Sequence, residues 1–188
     1  NFMLEENFLK ILTKLQGGLH GVGISVVNAL SEKLEVKIYK NSKVYSQIYS
    51  QGKPKTKVKI EKCNKKLKGT TITFVPDKDI FEKIIFSPKK LYSFLKMKAV
   101  LVKGTKISFK VDKELIKDST PYKENFYFEK GIIDFMNNNL KSKKKVIEKD
   151  FHANLDLNTN EKCEVYISFN LLESSSLLSF CNTIQTPD

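Results

Sequence analysis

A run of four glycines within seven residues, GGLHGVG at positions 17–23, constrains this chain more than any other stretch. Glycine has no Cβ, so such a run lets the backbone turn sharply and approach a ligand closely. The residues that follow favour a helix whose apolar face holds Ile24, Val27 and either Leu30 or Leu34. A glycine-rich loop before a helix directs free N–H groups, and the positive end of the helix dipole, at an anion. The stretch therefore predicts a phosphate-binding loop.

The glycine spacing differs from the two common phosphate-binding loops. No Lys-Ser or Lys-Thr pair follows the last glycine, so the loop is not a P-loop. The spacing also departs from the dinucleotide fingerprint, and no strand pattern precedes it. Because glycine-rich stretches also serve as plain turns, the glycine count alone does not identify a site.

Longer strings identify a family. The fifteen residues GGLHGVGISVVNALS, at 17–31, resemble the ATP-lid loop of the B subunits of bacterial type IIA DNA topoisomerases. These subunits belong to the GHKL superfamily of ATPases, with Hsp90, histidine kinases and MutL. The string GTTITFVPD, at 69–77, is similar to a strand of the same family. The run LKMKAVL at 95–101, with Gly104, resembles the topoisomerase IV B subunit more than the gyrase B subunit.

The resemblance implies a nucleotide site. In the family the amides of the loop surround the triphosphate of ATP, and a threonine at the position of Thr70 helps to hold the adenine, partly through water. The binding residues implied here are Gly17, Gly18, Leu19, His20, Gly21, Val22, Gly23, Ile24 and Thr70. A lone histidine is usually a core or surface residue. That alternative remains open for His20, although its place in this string favours proximity to phosphate.

The family's hydrolytic residues have no counterpart in this sequence. The family uses a glutamate as general base and, four residues later, an asparagine that holds Mg²⁺. Before the loop only Glu5 and Glu6 are acidic, and Leu9 and Lys10 follow them four residues later. The family's γ-phosphate lysine corresponds to a position beyond Asp188. We therefore expect a fragment or a degenerate product of a B subunit, with no catalytic residue and no metal ligand, that does not hydrolyse ATP alone.

The hydrophobic patterns alternate between helix and strand, which predicts an α+β chain. The resemblance implies an incomplete Bergerat-fold (GHKL) ATPase domain, with helices on one face of a mixed sheet, followed by the start of a ribosomal-protein-S5-like transducer domain. The expected parts are a non-matching helix at 1–16, ATPase residues at 17–122 and transducer residues at 123–188. Lys130 replaces the first of two glycines that the family carries before the helix expected at 131–140. The predicted strands are 34–38, 44–49, 56–61, 69–75, 107–111, 151–157, 163–170 and 176–186. Asn41-Ser42 is expected to form the turn between the first two, 52–54 to break the hairpin, and Ser87-Pro88 to begin a helix.

The charge of the chain has two interpretations. The net charge is +12 and the pI is about 9.5, which is typical of a protein with a polyanionic partner. All 33 basic residues are lysine, however, which AT-rich coding bias would also produce. The absence of arginine excludes bidentate guanidinium contacts to phosphate. Cys63, Cys163 and Cys181 fit neither a zinc site nor a disulfide framework, so we expect reduced thiols.

The resemblance also implies the function, cofactors and partners. The cofactors of the chain would be ATP and Mg²⁺. Its partners would be DNA, the topoisomerase A subunit and a second B subunit. It would act in the bacterial cytoplasm, at the nucleoid, and would not bind a membrane. ATP-driven dimerisation would gate DNA strand passage for decatenation and relaxation by topoisomerase IV. One alternative is the gyrase B subunit, which introduces negative supercoils. Another is a non-catalytic basic module that binds DNA with steep salt dependence and ignores nucleotide. A serine hydrolase is excluded by the lack of a Gly-x-Ser-x-Gly motif.

Overall fold

A computed structural model describes residues 22–158, 161–171 and 175–186, and it divides the chain into two units, residues 1–85 and 86–188. Both units combine helices and strands, so the predicted α+β class is confirmed. The helix predicted at 1–16 lies outside the described residues, and the domain boundary predicted at 122–123 stays a prediction. None of the described helices is long and apolar enough to span a membrane.

In its described residues, 22–85, the first unit contains one helix and an antiparallel sheet. Its elements are α1 (Gly23–Ala29), β1 (Ser31–Lys40), β2 (Lys43–Ser50), β3 (Lys53–Pro54), β4 (Lys59–Lys62) and β5 (Gly69–Pro76). The strand order is β3-β2-β1-β5, and β4 also pairs with β2. We predicted a mixed sheet, but every described pairing in this unit is antiparallel. Short turns connect most of these strands, whereas a parallel pair needs a crossover of a dozen or more residues.

Helix α1 is shorter than the sequence pattern predicted. It has seven residues, and the chain enters β1 directly after Leu30. The Ser31 hydroxyl donates to the carbonyl of Val27 at 2.6 Å, closing the end of the helix. The proposal that Leu34 belongs to the helical face is wrong, because Leu34 lies in β1 and is only 1% exposed. Packing of the sheet decides this position, since Leu34 pairs with residues of both β2 and β5.

Tight turns fix the register of the first sheet. Asn41 and Ser42 connect β1 to β2 with φ of 53° and 62°, the left-handed pair of a type I′ hairpin. This turn was predicted correctly. A break was predicted at 52–54, but Lys53 and Pro54 pair with the end of β2. Gln51 and Gly52 form the intervening turn, again with positive φ.

The described part of the second unit contains two helices and three two-stranded sheets. Its elements are α2 (Pro88–Leu101), β6 (Ile107–Lys110), a 3₁₀ turn (Lys113–Leu115), β7 (Lys123–Phe126), α3 (Ile132–Leu140), β8 (Phe151–Asn158), β9 (Glu161–Ile167), β10 (Phe180–Cys181) and β11 (Ile184–Gln185). The strands pair in sequence order as β6–β7, β8–β9 and β10–β11. Ser87 caps α2 by accepting the N–H of Lys90 at 3.3 Å, and Pro88 begins the helix as predicted.

The last predicted strand, 176–186, is wrong. The chain instead forms a small hairpin, with Asn182 and Thr183 at its turn in the left-handed region, φ 47° and 68°. The ammonium of Lys98, in α2, donates to the Thr183 carbonyl at 2.8 Å and to its hydroxyl at 2.7 Å. These bonds join the turn to a helix 85 residues earlier, which a local pattern does not reveal.

Aromatic residues form the core of the second unit. The most buried apolar residues are Ala99, Val100, Phe109, Phe126 and Phe128. The Tyr92 ring packs edge-on against Phe109 and Phe126, with centroid distances of 5.6 and 5.1 Å. Its hydroxyl donates to Glu124 at 2.8 Å, so the polar end of this half-buried side chain is satisfied.

Candidate functional site

A cavity of about 1070 Å³ lies between α1 and one face of the first sheet. From α1 it is lined by Ile24, Ser25 and Asn28. The sheet contributes apolar side chains from β1 and polar ones from β2, and the segment 54–58 forms the rest of the wall. An apolar floor with a few polar groups is typical of a small-molecule site, and the volume slightly exceeds the usual range of about 300–1,000 Å³.

The start of α1 places the described part of the glycine loop beside this cavity. Val22 is the residue before the helix, Gly23 begins it, and Ile24 lines the cavity. A Cβ built on Gly23 would meet nothing within 4 Å. The described fold therefore gives no steric reason for glycine at this position. The predicted residues Gly17, Gly18, Leu19, His20 and Gly21 lie outside the described residues, so their role stays a prediction.

Thr70 lies on the sheet face that carries the cavity. In the register of β1 and β5 it is directly opposite Ile38, which in turn is opposite Tyr45 of β2. Directly opposed residues of antiparallel strands share a face, and both Ile38 and Tyr45 line the cavity. Thr71 is on the other face because side chains alternate along a strand. Ile24 lines the cavity, whereas Thr70, 46 residues later, shares the sheet face of the lining residue Ile38 but is not itself a lining residue.

A buried carboxylate anchors the far end of α1. Asp77 is 2% exposed and accepts the side-chain amide of Gln51 at 2.6 Å and the backbone N–H of Asp79 at 2.9 Å. Its own N–H donates to the carbonyl of Leu30, the residue after the helix. The N–H of Gln51 donates to Ser31 at 2.8 Å. This network connects the end of α1 to the strand ends, and so it positions the helix that follows the glycine loop.

The hydrogen bond from Gln51, and then that from the N–H of Asp79, hold the pKa of Asp77 below its usual value. Burial acts in the opposite direction, and Lys78 adds to the lowering. A lowered folded-state pKa stabilises the fold above the unfolded pKa of about 3.9. That contribution is lost as the pH falls through the folded pKa.

We expect Asp77→Asn to lower the melting temperature of the chain at pH 7, because the amide cannot accept both bonds as a carboxylate does. The difference from the parent should shrink at pH 3, where the parent begins to lose the same contribution. Thermal melts followed by circular dichroism at both pH values measure this. Asp79→Asn removes an equal charge from the neighbouring exposed carboxyl and is the control. An equal destabilisation by Asp77→Asn at both pH values would contradict the role given to the carboxylate.

Sequence reasoning missed two groups of this region. The Oδ1 atom of Asn28 is buried at the cavity wall and has no hydrogen-bond partner among the described residues. A buried amide oxygen without a partner is unfavourable, so a donor in the cavity would stabilise it. Lys55 and Lys57 add positive charge to the lining. The signal for Asn28 was a lone amide within the apolar stretch VVNAL, but its orientation depended on the fold.

The described residues contain no cluster of metal-ligating side chains. In residues 22–158, 161–171 and 175–186, no three His, Cys, Asp and Glu side chains are grouped as metal ligands. No residue in the described part of the chain is therefore assigned as a ligand of Mg²⁺.

Comparison with known proteins identifies the relatives of this chain, although no family model matches it. The topoisomerase IV B subunit of Rickettsia felis is 41% identical over 174 residues, 91% of this chain and 26% of that protein. The gyrase B subunit of Thermotoga maritima is 38% identical over 188 residues, 96% of this chain and 28% of that protein. The chain thus spans about a quarter of the length of these curated relatives.

A solved structure resembles the fold. The 43K ATPase domain of Thermus thermophilus gyrase B, in complex with an aminocoumarin, matches with a TM-score of 0.72 and 28% identity. The match covers 88% of this chain and 44% of that one. The predicted resemblance and the predicted GHKL-type α+β fold are therefore confirmed.

Proposed function

We propose that this chain forms the ATP-lid part of a type II DNA topoisomerase B subunit. The chain is similar to such B subunits over about a quarter of their length. The observation that carries the proposal is the cavity beside α1, which Ile24 lines and which lies on the sheet face that Thr70 shares with Ile38. ATP would lie with its triphosphate toward the loop at 17–24 and its adenine toward Thr70. The volume of about 1070 Å³ is sufficient for a nucleotide.

The surroundings of Gly23 support a ligand close to the loop. Its φ is not in the left-handed region and a Cβ would meet nothing within 4 Å, so the fold itself would accept alanine. Close approach of a phosphate to the backbone would account for a glycine at this position. Lys55 and Lys57, at the cavity wall, have the charge that such an anion requires.

In the complete subunit we propose the mechanism of a gate. ATP would favour a closed dimer through contacts made only in that state, and hydrolysis would reverse the preference. One DNA segment would then pass through a second segment that the A subunits hold. The reaction would take place in the bacterial cytoplasm, at the nucleoid. We assign the chain to topoisomerase IV rather than gyrase, which the run at 95–101 and the higher identity to the Rickettsia relative support.

Nucleotide binding is tested by melting the 188-residue chain with and without a non-hydrolysable ATP analogue and Mg²⁺. At a hundred times its dissociation constant a ligand stabilises by about 2.7 kcal/mol, a shift of several degrees. Gly23→Ala should leave the melt without nucleotide unchanged or slightly raised, yet reduce the shift that the analogue causes. Thr70→Val should also reduce that shift. We expect no release of phosphate from ATP by any of these proteins.

The matched control is Thr71→Val, which makes the same chemical change one residue along, on the opposite face of the sheet. It should leave the analogue-induced shift intact. A cooperative melt that ignores the analogue in the parent chain would contradict nucleotide binding and favour the basic DNA-binding module instead. A shift that survives in both Gly23→Ala and Thr70→Val would place the nucleotide elsewhere.

A further inference from the structure

Lysines line up across one end of the first sheet. Lys40 and Lys43, on either side of the turn at 41–42, are directly opposite each other. Lys43 is also directly opposite Lys62 of β4. Lys68 comes immediately before Gly69, which pairs with Tyr39, so it adjoins Lys40 on the other side. We call these four residues, Lys40, Lys43, Lys62 and Lys68, the lysine row.

Lys40, Lys43 and Lys62 of the lysine row are on the same face of the sheet as the cavity. Lys40 is two residues from Ile38, and Lys43 two residues from Tyr45, both of which line the cavity. Side chains two apart on a strand point the same way. Lys62 is likewise two residues beyond Ile60, which is opposite Tyr45. The row thus continues the concave face outward to the tip of the hairpin.

Electrostatics make this arrangement unfavourable without a partner. Neighbouring strands lie about 4.8 Å apart, and like charges directly opposite each other are destabilising. All four side chains are exposed, and none of them is in an ion pair with a described residue. The acidic residue nearest in sequence, Glu61, is bound to Lys59 at 2.9 Å. Lys65 and Lys66, in the adjacent loop, add further positive charge.

We propose that the lysine row binds the phosphate backbone of double-stranded DNA. The inference rests on the proposed function, whose partner is DNA, and it assigns that partner a surface. Four ammonium groups spread over about 14 Å suit an extended polyanion better than a single small anion. Lysine supplies point charges without the planar fork of arginine. The contact therefore positions DNA and does not read its sequence.

The test measures binding of a fluorescein-labelled 30-base-pair duplex by anisotropy across a salt series. We expect one quadruple variant to bind the duplex at least tenfold more weakly at 100 mM salt. This row variant combines Lys40→Gln, Lys43→Gln, Lys62→Gln and Lys68→Gln. The slope of log K against log salt should become shallower by about 3.6, since each of the four phosphate contacts contributes about 0.9. The matched control is a second quadruple variant, which removes the same charge from four exposed lysines scattered over the chain. It combines Lys83→Gln, Lys117→Gln, Lys130→Gln and Lys149→Gln. It should weaken binding less than threefold.

Equal losses in the two variants would overturn the proposal, because they would reflect net charge alone. An unchanged affinity in the row variant would overturn it as well. If the variant folds poorly, Lys43→Gln, at the centre of the row, decides the matter with an expected slope change of about 1.

The analogue-induced thermal shift is a separate readout. Loss of that shift in the row variant, with DNA binding retained, would assign the row to nucleotide and overturn its assignment to DNA. If the parent chain binds the duplex through the lysine row but shows no thermal shift with nucleotide, the proposed function is contradicted and the assignment of the row to DNA is supported.

Discussion

Gly131→Ala is expected to lower the free energy of unfolding of the second unit by about 3 kcal/mol or more. Gly131 has φ of 61°, which costs other L-residues about 1–2 kcal/mol. A Cβ would also lie 2.7 Å from the Cγ of Lys103 and 2.9 Å from the carbonyl oxygen of Val100. The lysine side chain can move, but the carbonyl belongs to helix α2 and cannot do so cheaply. Urea unfolding followed by circular dichroism measures the loss.

Gly104→Ala separates the two causes. Gly104 has φ of 72°, but a Cβ there would meet nothing within 4 Å. Its replacement should therefore cost only the backbone contribution of about 1–2 kcal/mol. Equal losses for the two variants would show that the contact with Val100 is not decisive.

Phe109→Ala is expected to cost about 3–5 kcal/mol, the range for a large aromatic residue removed from a packed core. Phe109 is 2% exposed and lies against the edge of Tyr92. Its removal leaves a cavity between α2 and the β6–β7 hairpin. The same urea measurement tests this value, and a loss of the analogue-induced shift is not expected because Phe109 is in the second unit.

Phe169→Ala is the matched control, since this ring is 55% exposed. We expect its replacement to change the stability by less than about 1 kcal/mol. If Phe109→Ala were as mild as Phe169→Ala, the buried cluster would not be the core that the structure describes.

Features encoded within a few residues were predictable from the sequence. Asn41-Ser42 forms the predicted hairpin turn, because both residues tolerate left-handed backbone and the flanking strands alternate. Ser87 and Pro88 carry the start of α2 in their own side chains. The family resemblance depended on strings of nine and fifteen residues and was confirmed by the comparisons.

Features that depend on distant partners were not predictable. Asp77 matched a strand-end motif, but its buried network includes Gln51, 26 residues earlier. Helix α1 ends early because β1 pairs on both sides, with β2 and β5. The position of Thr70 beside the cavity follows from the register of β5 on β1, a pairing across some thirty residues of chain. Its contact with adenine remains a prediction.

The replacement of a family glycine by Lys130 is explained by backbone geometry. Lys130 is not among the residues with positive φ, whereas Gly131 is. Its N–H donates to the carboxylate of Asp134 at 2.8 Å, in the first turn of α3. Only the second glycine of the pair is therefore required by the described fold, and a lysine at the first position is compatible with it.

The bonds between Lys98 and Thr183 make the last hairpin dependent on an earlier helix. The hairpin of β10 and β11 has only two residues in each strand, too few to be stable alone in water. The ammonium that holds its turn is presented by α2, which must already be formed for both bonds to exist. Closing a loop of this length is entropically costly before such contacts can compensate it. The hairpin therefore depends on α2, and unfolding of the helix is expected to release the turn as well.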